Sequence, residues 1–277
     1  RRVRHRTLAS LFLLLPALGS CFSRPIEPEG TPFPVRRPAR VPEPVPAAPA
    51  PAEPMPSEPA PAGPSAGYGP LVRVALRVAR DTAALDASGP WRLLDAPGGV
   101  LVRARAAERW VIERRGRQLR ARRGDGTATS WQNGALTQFP DDGELTRAGT
   151  KTYRGALAFV ATDSGILLVN QLPLEDYLRG VVPLEIGERG PAERAAVEAQ
   201  AVAARSYTVT RLAAARSGGA RSPDFDLLSS VSDQVYGGRD AERPFADAAV
   251  LATAGLVLRI GTRVVNAPFY STCGGET

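Results

Sequence analysis

Sixteen of the 26 prolines fall within residues 24–70, mixed with Ala and Glu, as in Pro42-Glu43-Pro44-Val45-Pro46 and Pro54-Met55-Pro56. Proline fixes φ and has no backbone N–H, so so dense a stretch cannot bury a core and reads as an extended polyproline-type spacer. At about 3.1 Å per residue such a segment reaches on the order of 100 Å. The chain therefore divides into residues 1–20, a spacer over 21–70, and a globular part over 71–277. The last is ample for one large core or two intimately joined subdomains.

Ahead of the spacer, Leu8 to Leu18 form an apolar run of 11 behind Arg1, Arg2, Arg4, His5 and Arg6. That is too short to span a bilayer, which takes about 20 residues, but suits the core of a signal peptide. Leu18-Gly19-Ser20-Cys21 follows and resembles the lipobox at which bacterial lipoproteins are cut and acylated, so Cys21 is the expected lipidation site; an ordinary secretory signal with an incidental cysteine is the alternative. The expected location is outside the cytoplasm, anchored by lipid and facing periplasm or cell wall. With Arg at position 1 and Gly-Gly-Glu-Thr at the end, the sequence reads as cut at both ends.

His5 is the chain's one histidine. If the leader is removed, Ser-His-Asp and Cys-His nucleophile systems, a histidine base and histidine metal sites are all unavailable. Chemistry must then come from carboxylates, arginines, tyrosines or hydroxyls. With Cys21 acylated, Cys273 is the remaining thiol, so no intramolecular disulfide is expected within these residues. The net charge of +7 is unevenly spread: residues 71–150 carry 14 basic against 9 acidic residues, whereas 151–277 carry 13 against 14. Nine arginines fall between Arg103 and Arg123. A nucleic-acid footprint is one reading; in an exported protein a solvated strand face, drawn to an anionic wall, is the favoured one, and no nucleic-acid partner is expected.

From Leu71 to about Asn170 short β-like runs alternate with turns: Leu71 to Val78, Trp91 to Leu94, Val100 to Arg105, Trp110 to Glu113, Leu119 to Arg122, Leu157 to Ala161 and Ile166 to Val169. The pattern then becomes helical. Pro173 can open a helix over Leu174 to Val181, and Pro191 a longer one from Ala192 to about Arg216, closed by Gly218-Gly219. Ala196, Ala199, Ala203 and Tyr207 recur at helical spacing, which predicts a small-residue face where another element packs closely. Val231 to Tyr236, Ala248 to Leu258 and Val264 to Tyr270 read as mixed strand and helix. The expected class is α+β, a strand-rich part packed on a mixed α/β core with a long Ala-rich helix.

Glu185 stands out among the carboxylates because it lies in an apolar run, Val181-Val182-Pro183-Leu184-Glu185-Ile186-Gly187, between two helices. Desolvation there would favour its protonated form, as a general acid for glycosidic cleavage requires. A helix cap or a salt bridge to Arg205 explains it as well.

Five ordered blocks carry a resemblance: Leu174-Glu175-Asp176-Tyr177-Leu178 with Gly180 to Glu185; Ala199-Gln200-Ala201-Val202-Ala203-Ala204-Arg205-Ser206-Tyr207; Gln234-Val235-Tyr236-Gly237-Gly238; Thr253-Ala254-Gly255; and Tyr270-Ser271-Thr272-Cys273-Gly274-Gly275. Together they resemble the SpoIID/LytB family, which contains the stage II sporulation protein D and LytB-type amidase enhancers. The resemblance implies a peptidoglycan lytic transglycosylase cleaving denuded glycan strands to 1,6-anhydro-muramyl ends, with Glu185 in the catalytic position. Its alternative is a glycan-binding enhancer of an N-acetylmuramoyl-L-alanine amidase. Gln200, Arg205, Tyr207, Gln234, Tyr236, Ser271, Gly274 and Gly275 are the candidate glycan-binding residues. Arg205 could pair with Glu185, bind sugar acids or serve a structural ion pair; a helix-buried Tyr207 is as readily core; the glycines could serve turn geometry. Some sporulation proteins of this family carry a Cys/His zinc site before the Gln-x-Tyr block. Here that stretch, Asp226 to Asp233, has neither residue type, so no metal and no cofactor are expected. Glu198 also stands where the family usually has Lys, which reverses a charge beside the expected cleft. Glycan strands, a membrane reached through the lipid, and an amidase are the expected partners.

Overall fold

Twelve strands precede the first helix in the computed structural model, in which residues 69–269 are described apart from Asp142 and Ala220. The expected leader, the spacer up to residue 68 with Cys21, and Ser271, Gly274 and Gly275 lie outside the described residues. The strands are β1 Leu71–Ala79, β2 Thr82–Ala87, β3 Trp91–Leu94, β4 Val100–Ala104, β5 Trp110–Arg115, β6 Gln118–Arg123, β7 Gln132–Asn133, β8 Leu136–Pro140, β9 Thr146–Ala148, β10 Lys151–Tyr153, β11 Ala156–Thr162 and β12 Gly165–Pro173. All seven expected runs are strands. β2 and β7 to β10 went unread: Thr82–Ala87 is half alanine with a single β-branched residue, and the two- and three-residue strands β7, β9 and β10 carry no period.

Most strands alternate one buried apolar residue with one less buried residue, for example Trp110 and Ile112 buried on β5, Leu119 and Ala121 on β6. Such strands can cover a core with one face only. Two sheets result, one ordered β13-β1-β12-β11-β8-β3-β4 and one ordered β10-β9-β2-β5-β6-β7, where β13 is Leu227–Leu228. Their inward residues, among them Trp91, Leu93, Leu136, Phe159 and Leu168 from the first and Leu85, Ile112 and Leu119 from the second, belong to one continuous apolar cluster. β12 differs in being buried on both faces. Its second face joins Ala75, Ala158, Leu167 and Val169 in a smaller cluster covered by Phe225 and Leu228.

Of the arginine-rich run, Arg115, Arg120 and Arg122 lie on the face of β5 and β6 opposite the buried Trp110, Ile112, Leu119 and Ala121; Arg103 is on β4, and Arg105, Arg109 and Arg117 lie between strands. Glu113 accepts from both Arg120 and Arg122, Arg123 reaches Glu108 and Asp125, and Arg114 pairs with Asp81. Arg115 and Arg120 also lie 4.5 and 4.6 Å from the centre of the Trp131 ring. The Glu113 carboxyl is consequently held below the ordinary carboxylate range, chiefly by its hydrogen bond from Arg122.

The helices follow β12: α1 Leu174–Arg179, α2 Val182–Ile186, α3 Arg194–Ala214 and α4 Pro244–Ala252, with a terminal hairpin of β14 Arg259–Ile260 and β15 Arg263–Val264. Pro173 precedes α1 as its cap, and Pro191 opens a short 3₁₀ turn, Pro191–Glu193, that leads into α3. α3 packs differently from the expectation. Ala196 and Ala199 are exposed, and the buried stripe is Val197, Ala201, Ala204, Thr208 and Leu212 with Arg205. Two stripes of small residues run along this helix, and the one with Val197 and Leu212 buries more apolar area against α4 and α1. Val231 to Tyr236 forms a loop, with Val231 itself 88% exposed. Among the described residues no helix is long and apolar enough to cross a membrane.

Candidate functional site

The site begins where β12 delivers the chain into α1. Leu174, Tyr177 and Leu178 bury the inner side of that single-turn helix. Gly180 then lets the next segment close in: a Cβ there would meet Tyr236 Cε2 at 2.6 Å and the Gly238 carbonyl oxygen at 3.0 Å. Its φ is −88°, so the lack of a side chain serves close approach rather than backbone freedom. Through this contact the Gln234–Gly237 loop lies against the α1–α2 turn, joined by Gly237 N–H donating to the Gly180 carbonyl at 3.1 Å.

Glu185 occupies the last turn of α2, half-buried, just before Gly187 ends the helix at φ +73°. Its Oε1 accepts the backbone N–H of Val235 at 2.7 Å. Among the described residues no hydrogen bond reaches its Oε2. The carboxyl group is thus oriented by one bond from a neighbouring loop and keeps one oxygen open to a ligand. Arg205, weighed as a partner for Glu185, lies elsewhere.

Arg205 is 1% exposed and forms a two-pronged pair with Glu175, Nε to Oε1 at 2.9 Å and Nη2 to Oε2 at 2.8 Å. Its remaining donors go to the carbonyls of Leu256 at 3.1 Å and Val250 at 3.3 Å. A guanidinium so satisfied ties α3 to α1 and to the end of α4, and it offers nothing to a sugar. The structural ion pair is the reading that the geometry supports. Glu175, on α1, is the anchor.

Gln234 is likewise interior, 1% exposed. Its Oε1 accepts from Tyr177 Oη at 3.1 Å and Thr208 Oγ1 at 2.9 Å, and its Nε2 donates to the Ala204 carbonyl at 3.3 Å. Tyr236, 7% exposed, donates to Asn170 Oδ1 at 2.7 Å and packs its ring 5.1 Å from Tyr177. Burial pushes both the Tyr177 and Tyr236 phenols well above their ordinary range. Neither Gln234 nor Tyr236 lines an open cleft, contrary to expectation. Hydrogen-bonding side chains with aromatic bulk serve here to fasten the loop that holds Glu185.

Tyr207 is half-buried and donates to Asp233 Oδ1 at 2.8 Å. Burial first, then this hydrogen bond, pushes its phenol up to about 12. The Asp233 side chain is fully enclosed and also takes Arg221 at 2.8 Å, Arg211 at 3.4 Å and the Leu228 N–H at 2.9 Å. It is the residue that sequence reasoning missed: it neighbours Gln234, but its partners come from three separate segments and leave no local pattern. Gln200 is half-buried on α3, one turn before Ala204, and its Nε2 is enclosed without a partner among the described residues. Glu198, the charge reversal, is held on the helix surface by Arg194 at 2.6 Å. No group of three or more His, Cys, Asp or Glu among the described residues is arranged to hold a metal ion.

This oriented carboxylate, with β12 and the four helices, lies within a segment that matches a family model. Residues 162–259, from the end of β11 to the start of β14, match the family model described as stage II sporulation protein, SpoIID. An uncharacterized protein of Brachyspira hyodysenteriae is 33% identical over 125 residues, which are 45% of this chain and 32% of that protein. The chain thus matches about a third of that relative's length. No solved structure matches.

Proposed function

We propose that the protein remodels peptidoglycan glycan strands, with Glu185 as the acid and base of a lytic transglycosylase. The SpoIID match supports a cell-wall role. The observation that carries the finer reading is the Glu185 carboxyl group, aligned through Oε1 by Val235 N–H, with Oε2 unengaged among the described residues and an open hollow on the same short helix. One protonated carboxyl suffices for this chemistry. It donates its proton to the glycosidic oxygen as the bond from muramic acid C1 breaks. As carboxylate it then takes the proton of the same sugar's C6 hydroxyl while that oxygen bonds to C1, closing a 1,6-anhydro ring. Proton and bond count balance, no water is consumed, and the second carboxylate that hydrolases need is dispensable. Arg205, Gln234 and Tyr236 act behind the site, holding α1, α3 and the Val235 loop in register. Lipidation at Cys21 and a place outside the cytoplasm belong to the same proposal.

Incubating the protein with denuded glycan and resolving the products by mass spectrometry is the test. The wild type should yield anhydro-muramyl ends, and Glu185→Gln should lower their rate by at least about a hundredfold, the lower range of a general acid's contribution. Products that persist in Glu185→Gln would refute the assigned mechanism. The Val235 bond is equally suited to a carboxylate with a purely structural role, so a wild type that binds glycan, makes no products and stimulates an amidase would establish the enhancer reading instead.

A further inference from the structure

Asp233 closes the turn that leads into the Gln234–Gly237 loop, its N–H donating to the Ser230 carbonyl at 3.0 Å. Little apolar burial holds that turn: Val231 and Ser232 at its tip are exposed, as is Ser230. Charge holds it instead. The Asp233 side chain is fully enclosed. It accepts the Tyr207 hydroxyl and Arg221 Nη1, each at 2.8 Å, and the Leu228 N–H at 2.9 Å, while Arg211 Nε lies 3.4 Å away. Tyr207 and Arg211 are one turn apart on α3, Leu228 is on β13, and Arg221 lies between those two elements. One carboxylate thus gathers a helix, a sheet edge and the segment that joins them, just ahead of the loop that reaches Glu185.

Two residues further on, Val235 N–H makes the 2.7 Å bond to Glu185 Oε1. The peptide group between Gln234 and Val235 is planar, so the direction of that N–H follows from how the chain is held on either side of it. On the far side Tyr236 is fixed by its N–H to the Ser229 carbonyl at 3.3 Å and by its hydroxyl to Asn170. On the near side Gln234 is held through its side chain, and the backbone ahead of it by Asp233. We infer that Asp233 is a positioning residue for Glu185, acting through the Val235 N–H, and that Arg221 locks it from outside the site. The inference rests on the reading of Glu185 as acid and base, and adds to it a residue that acts on that carboxyl group at one remove. The chemistry is sensitive to such control. A Glu185 oxygen must meet first the glycosidic oxygen and then the C6 hydroxyl, and a displacement of about 1 Å caused away from the reacting atoms lowers a rate by about a hundredfold.

The test pairs hydrogen exchange, read by NMR on the full chain, with turnover of denuded glycan. Arg221 has 42% of its side chain exposed, so Arg221→Ala opens the clasp without opening the core. It should speed exchange at the Val235 amide by about tenfold, the loss of roughly one hydrogen bond, and leave the Leu168 amide within β12 unchanged. Glu185→Ala should speed Val235 to a similar degree, and the double variant no further than Glu185→Ala alone, because both changes act on one bond. Turnover should fall about tenfold in Arg221→Ala with KM held within about twofold, and Arg221→Lys should restore both readouts. Asp233→Asn, which keeps an acceptor for Tyr207 but loses the charge, should lower turnover by about a hundredfold. Wild-type exchange at Val235 in Arg221→Ala, additive effects in the double variant, or undiminished turnover overturns the positioning role. So does exchange at Val235 and Leu168 rising together, which is what a purely structural clasp would give. If the wild type makes no anhydro-muramyl products, the transglycosylase reading falls, and the exchange measurements still decide whether Asp233 sets the bond to Glu185.

Discussion

At the scale of single residues, the buried ion pair is where the energetics are most exposed to measurement. Arg205 is 1% exposed and its partner Glu175 has 15% of its side chain exposed, so both charges have largely left water. Removing one partner strands the other, which costs roughly 3–5 kcal/mol, whereas removing both removes the stranded charge as well. Arg205→Ala and Glu175→Gln should each lower unfolding free energy in urea by about that amount, and the double variant by much less than the sum. Additive losses would show that the pair is not coupled. Asp176, next along α1, is a contrasting case. Burial holds its carboxyl above the ordinary range, against the nearby Arg154 and Arg179. A carboxyl raised in the folded state contributes stability that is complete below its unfolded value, about 3.9, and is lost as pH climbs through the folded value. Asp176→Asn should therefore gain on wild type in melting temperature as pH rises from about 4 toward neutrality; a difference constant with pH would overturn that assignment. The sequence displayed Glu185 through its apolar neighbours, but it could not display Arg205's partner. Residues 30 apart on two helices meet only through the packing between them.

The elements around the site are short, and their order comes from contacts between them rather than from propensity. α1 has six residues and α2 five, lengths at which an isolated helix does not persist in water. What holds them is the loop from Ser229 to Gly238, fastened through Asp233 to α3, through Gln234 to α1 and α3, and through Val235 to Glu185. Gly180 is the hinge of this arrangement, and its φ of −88° suits alanine without backbone strain. Gly180→Ala therefore isolates the steric effect. The added methyl must displace the Tyr236 ring, which should cost about 1–3 kcal/mol and draw Val235 away from Glu185, so the rate of glycan cleavage per folded molecule should fall too. A stable, fully active Gly180→Ala protein would show that the loop does not set the carboxylate. The starts of α1 and α3 are legible because Pro173 and Pro191 precede them, whereas α2, which carries Glu185, falls where the sequence reads as a junction between two helices. Which stripe of α3 faces inward is not legible, since Ala199 and Ala201 are alike in composition and only neighbouring bulk decides between them.

Across the whole molecule, strand-rich and helical parts share one core, although the sequence shows them as successive blocks. The first sheet interleaves them: β12 lies between β11 and β1, with Leu71 opposite Pro173, and β13, which follows α3, extends the same sheet in parallel beside β1. The SpoIID match starts at residue 162 and so includes β12 but neither neighbour. The apolar cluster accordingly runs from Val72 through Trp91 and Leu168 to Ala204 and Val250 without a break. No local period reveals that closure, because strand partners about a hundred residues apart are chosen by the face they bury. Cooperative unfolding follows from a shared core, and this chain reports on it with separated probes. All three tryptophans, Trp91, Trp110 and Trp131, precede β8, while among the described residues the helices all follow β12. Tryptophan fluorescence therefore follows the sheets, and circular dichroism at 222 nm mainly the helices. The two transitions in urea should coincide in midpoint and slope. Two resolved midpoints would mean that the helical part opens while the sheets stay folded, and that the core is divided at β12.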